Sequence, residues 1–193
     1  MRIQKLTHPV SIGVVQGLVD KSPDVDAIYR LTQDKEIYFT SNLPCVLKER
    51  VFCPYNTQNT LSESQAFWGL LVPSTTPFRV CDIWRSYFTQ RLLWDVDLRL
   101  CFVSPTAIQE RNPHDCFKDF CDEQDLYLDV NRLIDCLLKW KDFYPKFETR
   151  FVNLIQVMAE KGFVKKSEVD LAKAWINDLI KIGYTFPKVR VNK

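Results

Sequence analysis

Proline divides this chain into two parts. Eight of the ten prolines fall within residues 1–115, whereas residues 120–183 contain only Pro145. A proline inside a helix removes a hydrogen bond and clashes with the preceding turn, at roughly 3 kcal/mol or more. The first part must therefore be built from short elements joined by turns. The second is free to form long helices.

The apolar pattern agrees with that division. Ser11–Val19 reads as a strand or the end of a helix, and Ala27–Leu31 is a short apolar run. Glu36–Thr40 and Leu43–Leu47 are strand-like, and Phe67–Val72 is apolar up to Pro73. Asp82–Trp94 places Ile83, Trp84, Tyr87, Phe88, Leu92 and Leu93 at helical spacing. Leu98–Val103 reads as a strand ended by Ser104-Pro105. Three helices follow. Gln124–Asp142 repeats Leu126, Val130, Leu133, Ile134, Leu137 and Leu138 at three- and four-residue steps. The next, Tyr144–Lys161, carries Phe147, Phe151, Leu154, Ile155 and Met158 on one face, and Gly162 stops it. The last starts at Ser167, where Asp170 nearly completes a capping box. Its expected core face is Val169, Leu171, Ala174, Trp175, Leu179 and Ile182, closed by Gly183. The expected class is α/β with a helical appendage.

A chain of 193 residues with 46% hydrophobic and 26% charged residues can bury a full-sized core. A net charge of +2 is too small to point to nucleic acid or a charged membrane. No run approaches the ~18–20 apolar residues of a membrane span. The N-terminus lacks the apolar stretch of a signal peptide, so these features alone place the chain in the cytosol. Seven cysteines at irregular spacing, with no C-x-x-C and only His8 and His114, argue against a disulfide framework and a structural zinc site. The absence of G-x-G-x-x-G, a P-loop and G-x-S-x-G argues against dinucleotide, P-loop and serine-hydrolase chemistry.

Three stretches are candidates for chemistry. Asp82, in Arg79-Val80-Cys81-Asp82-Ile83-Trp84-Arg85, stands at a helix start. An acid there is either a helix cap or a general base aimed into a cleft. The segment Cys53–Thr60 holds Asn56, Gln58 and Asn59 between threonines and is suited to sugar hydroxyls or to a satisfied polar turn. The third, Gln109–Asp115, offers Arg111 to a phosphate and His114 to a metal or a proton. Asp24-Val25-Asp26 is a literal D-x-D, and its oxygen ligands would suit Mg²⁺ or Mn²⁺. Asp95-Val96-Asp97 is a second such pair.

Longer motifs carry a resemblance. Gly17-Leu18, Pro23-Asp24-Val25-Asp26-Ala27-Ile28-Tyr29-Arg30-Leu31-Thr32, Cys53-Pro54-Tyr55-Asn56-Thr57-Gln58-Asn59-Thr60, Phe78-Arg79-Val80-Cys81-Asp82-Ile83-Trp84-Arg85 and Ala174-Trp175-Ile176-Asn177-Asp178-Leu179 are similar to the STELLO-type glycosyltransferases of plants. A weaker likeness, in G-L … P-D-x-D-A, reaches the reversibly glycosylated polypeptides, which act as UDP-arabinopyranose mutases. The resemblance implies the acceptor-side half of a GT-A-like fold over residues 1–118. It implies a C-terminal helical segment over 119–193, packed on that half. It implies a nucleotide sugar and a glycan acceptor as substrates, a Golgi membrane setting, and association with glycan-synthase complexes.

Family members are several times longer, with a membrane anchor and a nucleotide-binding half before this region. This chain therefore reads as a fragment or a shortened member, inactive alone. In the family pattern Asp82 opens the helix that faces the acceptor cleft, which makes it the expected base. Asn56, Gln58, Asn59, Arg79, Trp84, Arg85 and Arg111 are the expected substrate contacts. Asp24, Asp26 and His114 are the metal candidates, with Mn²⁺ or Mg²⁺ as the ion of a full-length enzyme. Asp24 and Asp26 read equally as carboxylates of a turn on the acceptor side. The alternative function is a non-catalytic Golgi scaffold that assists glycan-synthase assembly or trafficking.

Overall fold

The computed structural model describes residues 9–33, 35–113 and 115–190. Elements run in the order β1 (Ser11–Lys21), α1 (Ala27–Thr32), β2 (Cys45–Val46), β3 (Thr60–Ser62), a 3-10 helix (Ser64–Leu70), α2 (Cys81–Asp95), β4 (Leu98–Gln109), α3 (Cys116–Asp122), α4 (Gln124–Lys139), α5 (Phe147–Glu160) and α6 (Ser167–Lys181). The fold is mixed α/β. Four strands form one sheet in the order β2-β4-β1-β3. The central pair β1 and β4 is parallel, and the short edge strands are antiparallel to it. Parallel neighbours need a long crossover, and here α2 lies in that crossover.

Helix α2 is buried on almost every side. Trp84, Tyr87, Phe88, Leu92 and Leu93 lie in the core together with Arg85, Ser86, Thr89 and Gln90. Its polar groups make this possible by meeting the backbone of neighbouring segments. Gln90 accepts from Cys53 N at 3.1 Å and donates to Cys53 O at 2.8 Å. One cluster of buried apolar residues joins β1 and β4 through α2 to α4, α5 and α6. The α5 face is the one expected: Phe147, Phe151, Leu154, Ile155 and Met158 are all buried.

Three local expectations are corrected. Strand β4 does not stop at Ser104-Pro105. Gly17 pairs with Val103 and Val19 with Ala107, so Ser104, Pro105 and Thr106 face Leu18 alone. Pro105 sits in that irregularity, where a missing N–H removes no ladder bond. Glu36–Thr40 is not a strand and makes only the bridge of Ile37 to Lys21. The capping box at Ser167 does not form, because Lys166 holds the cap position. The buried Glu168 carboxylate instead accepts from Ser74 N at 3.1 Å and Thr75 N at 3.1 Å. That anchor sets the phase of α6, so Ala172, Ile176 and Leu179 face the core while Leu171, Ala174 and Ile182 are exposed.

Gly162 and Gly183, at φ of +83° and +79°, end α5 and α6 in the left-handed conformation. Among the described residues no helix is long and apolar enough to cross a membrane.

Burial pushes the Tyr87 and Tyr184 phenols from 10.0 up to about 12. An unfolded chain loses those protons at lower pH than the folded one does. The stability they carry is therefore intact below pH 10 and is lost as pH rises from 10 towards 12. Calorimetric scans across that range should give a falling Tm. A constant Tm would contradict the burial of these phenols.

Candidate functional site

The loops that leave β1 and β4 emerge at the same end of the parallel pair. That is the end where open α/β sheets place their ligands. Lys21, at φ of +75°, turns the chain out of β1 towards Ser22–Asp26 and α1. The segment after Gln109 leads to α3. Together with the Asn56–Asn59 loop, these segments frame a cleft of two lobes. The wider lobe, about 440 Å³, is bounded by Gln16–Val19, Pro23–Asp26, the Tyr55–Gln58 region, Phe39, Phe102, Tyr87 and Tyr127. The narrower lobe, about 270 Å³, is polar throughout and holds Arg79, Arg111, Thr57, Gln109 and Asn112. Asp24 and Gln58 belong to both walls.

The Asn56–Asn59 loop is fixed at several points. Asn59 Nδ2 donates to Leu18 O at 3.1 Å and to Thr106 Oγ1 at 2.8 Å, and Gly17 N donates to Asn59 O at 2.8 Å. A Cβ on Gly17 would fall 2.4 Å from Asn59 Nδ2, so this close approach requires glycine. Thr57 donates from both N and Oγ1 to Asp82 Oδ2, each at 2.9 Å. Gln58 Oε1 accepts from Asp24 N at 3.1 Å, which joins this loop to the one after β1.

Asp82 is thus joined to the Asn56–Asn59 loop, as a residue beside that loop is expected to be. It is neither the cap of α2, a position Val80 holds, nor a residue of either lobe's wall. It anchors the Asn56–Asn59 loop through Thr57. Charge-assisted bonds of this kind contribute about 1.5–3 kcal/mol each when sheltered from water, and less at this exposed position.

The D-x-D carboxylates are engaged by the protein itself. Asp26 Oδ1 accepts from Tyr29 N at 3.0 Å and caps α1. Asp24 Oδ1 receives Arg79 Nη1 at 3.2 Å and Arg111 Nη1 at 3.4 Å. Arg79 continues to Glu123 Oε1, from Nε at 3.0 Å and from Nη2 at 2.8 Å. Arg111 Nη2 lies 3.5 Å from Asp119 Oδ2. Burial works against the Arg79 charge, but Asp24, Glu123 and Asp119 outweigh it and hold its pKa above the ordinary value. Glu123, 1% exposed, also accepts from Ala27 N at 2.7 Å and from the Tyr127 hydroxyl. Burial, and then the bond to Glu123, push that phenol up.

Each of the two carboxylates thus already has partners within the protein. Among the described residues no group of three or more His, Cys, Asp or Glu side chains is arranged to hold a metal ion. His114 lies outside the described residues. The second D-x-D is also structural: Asp95 pairs with Arg91 and Arg150, and Asp97 with Arg99 and Arg190.

Two expected sugar contacts belong to the core. Trp84 is 1% exposed, and its indole N–H donates to Phe163 O at 3.2 Å. Arg85 is 2% exposed, with its guanidinium 5.2 Å from the Tyr55 ring centre and its Nε and Nη2 unbonded among the described residues. Neither lines the cleft. Asn56, Gln58, Arg79 and Arg111 do line it, while Asn59 holds the loop from behind. Gln16, Tyr87, Glu123 and Tyr127 were not among the sequence candidates. Glu123 had no local signal, since its partners Ala27 and Arg79 are 96 and 44 residues away in the chain.

A mixed sheet with a two-lobed cleft at the carboxyl ends of its parallel strands defines the class as a mixed α/β domain with one candidate ligand cleft there. The family is narrower. A family model described as "STELLO glycosyltransferases" matches residues 79–193. The chain is 35% identical over 182 residues to "Probable glycosyltransferase STELLO2" of Arabidopsis thaliana, covering 91% of this chain and 24% of that protein. It is 35% identical over 186 residues to "Probable glycosyltransferase STELLO1" of the same plant, covering 91% and 23% respectively. The chain belongs to the STELLO glycosyltransferase family and spans about a quarter of the length of these relatives. The likeness to reversibly glycosylated polypeptides rests on the short shared stretches alone.

Proposed function

We propose that this chain forms the sugar-binding, acceptor side of a GT-A-like glycosyltransferase that uses a nucleotide sugar. The observation that carries this reading is the cleft at the carboxyl ends of β1 and β4, walled by amides, carboxylates and aromatic rings. Membership of a glycosyltransferase family supports it. In such a transfer the acceptor hydroxyl attacks the anomeric carbon, its proton passes to a base, and the bond from the sugar to the diphosphate breaks. Asp26 is the residue this geometry favours as base. Its Oδ1 is fixed by the Tyr29 N–H, and its Oδ2 has no partner among the described residues. Asp82 positions the loop that carries Asn56 and Gln58. The proposed setting is the Golgi, beside glycan-synthase complexes.

Two substitutions separate these roles. Asp82→Asn should weaken sugar binding, measured by calorimetry, by roughly five- to tenfold, because Thr57 exchanges a charged acceptor for a neutral one. Asp26→Asn keeps the cap of α1, since Asn caps as well as Asp. In a protein that also carries the nucleotide-sugar-binding part, it should lower transfer by about 100-fold or more while changing sugar affinity far less. Unchanged affinity in Asp82→Asn, or unchanged turnover in Asp26→Asn, would remove the corresponding role. A chain that binds no sugar at all would leave the scaffold function in its place.

A further inference from the structure

The distribution of charge on the cleft wall bears on which sugars it accepts. We infer that, granting the sugar-binding role proposed above, the cleft takes an uncharged, hydroxyl-rich glycan and disfavours both nucleoside diphosphates and acidic sugars. Arg79 and Arg111 are the only cations among the described residues that line either lobe. Both are already committed to carboxylates. Three carboxylates, Asp24, Asp119 and Glu123, surround these two guanidiniums. Asp26 adds a further negative charge to the wider lobe. An incoming phosphate or uronate would therefore meet guanidiniums already neutralised by carboxylates, no spare cation among the described residues, and the like charge of Asp24 and Asp26, and like charges brought together at a binding surface are strongly unfavourable.

The groups with unused capacity are of another kind. Asn56 Nδ2, Gln58 Nε2 and the Tyr87 hydroxyl line the wider lobe and donate to no acceptor among the described residues. The second oxygens of Asp24 and Asp26 accept no bond among the described residues and belong to the same wall. A sugar hydroxyl both donates and accepts, so it satisfies either set, whereas an anion satisfies only the donors. Phe39, Phe102 and Tyr87 add apolar ring surface of the sort that covers the C–H face of a pyranose. The volume of the wider lobe, about 440 Å³, is within the range of small-molecule sites, and the adjoining lobe extends it.

Calorimetry of this chain tests the inference with neutral trisaccharides of glucose, galactose and xylose, with trigalacturonic acid, and with UDP. At least one neutral trisaccharide should bind about tenfold or more tightly than trigalacturonic acid and UDP. Gln58→Ala should weaken that neutral ligand by roughly fivefold, the worth of one hydrogen bond. Asp26→Asn, which removes one charge and keeps the cap, should narrow the gap between the neutral and the acidic trisaccharide. Tighter binding of trigalacturonic acid than of every neutral trisaccharide would overturn the inference and leave the sugar-binding reading standing. Binding of UDP without any sugar, or of none of these ligands, would overturn both.

Discussion

Arg79→Ala should destabilise the protein by roughly 3–5 kcal/mol, the range seen when one partner of a buried ion pair is removed. Glu123 is the reason. Its carboxylate is 1% exposed and takes two bonds from Arg79. Without the guanidinium, its remaining donors among the described residues are Ala27 N and the Tyr127 hydroxyl. Asp24 and Asp119 would also lose the Arg79 charge that both now share with Arg111. Arg79→Lys should recover only part of the loss, because an ammonium cannot reach Asp24 and Glu123 with the same planar fork. Urea unfolding at neutral pH measures both variants. A loss below about 1 kcal/mol in Arg79→Ala would mean that the clamp is peripheral.

Trp84→Ala carries the second large effect, about 3–5 kcal/mol, the usual range for emptying a buried aromatic site. The ring lies edge-on to Tyr87, with centroids 6.3 Å apart, and its N–H ties α2 to Phe163 in the turn between α5 and α6. Trp84→Phe should lose less, since most of the apolar contact survives. Neither variant should change sugar affinity per folded molecule, because Trp84 is absent from the cleft wall. A stable Trp84→Ala variant that had lost sugar binding would return this residue to the site.

Local pattern carried much of the fold. The α5 stripe was fully legible because a 3.6-residue repeat names its own buried face. Both glycine stops were legible because few other residues adopt positive φ. Strand β4 was misjudged at Pro105 because an irregularity in register is a property of the strand pair, and the sequence displays one strand at a time. The phase of α6 was misjudged because a buried glutamate, Glu168, outweighs apolar residues once Ser74 and Thr75 supply its donors from 94 and 93 residues away.

The site followed the same division. Asn56, Gln58, Arg79 and Arg111 were recognisable by residue type, and the cleft contains them. Their functions were not recognisable, because function here depends on partners distant in sequence. Asp24 is 55 residues from Arg79 and 87 from Arg111, so the pairing that occupies its carboxylate left no local trace. Asp82 looked like a base because an acid at a helix start is favoured electrostatically. Only the fold brings Thr57 against it.

The central claim is that the cleft beside Gln16–Asp26 and Asn56–Asn59 receives a sugar. The most direct test is a titration of ¹⁵N-labelled protein with the neutral trisaccharides, followed by amide NMR. Shifts should concentrate at Gly17, Leu18, Asp24, Asp26, Asn56 and Gln58, with those of α6 unmoved. Shifts confined to the helical face of α5 and α6, or none at saturating sugar, would contradict that claim.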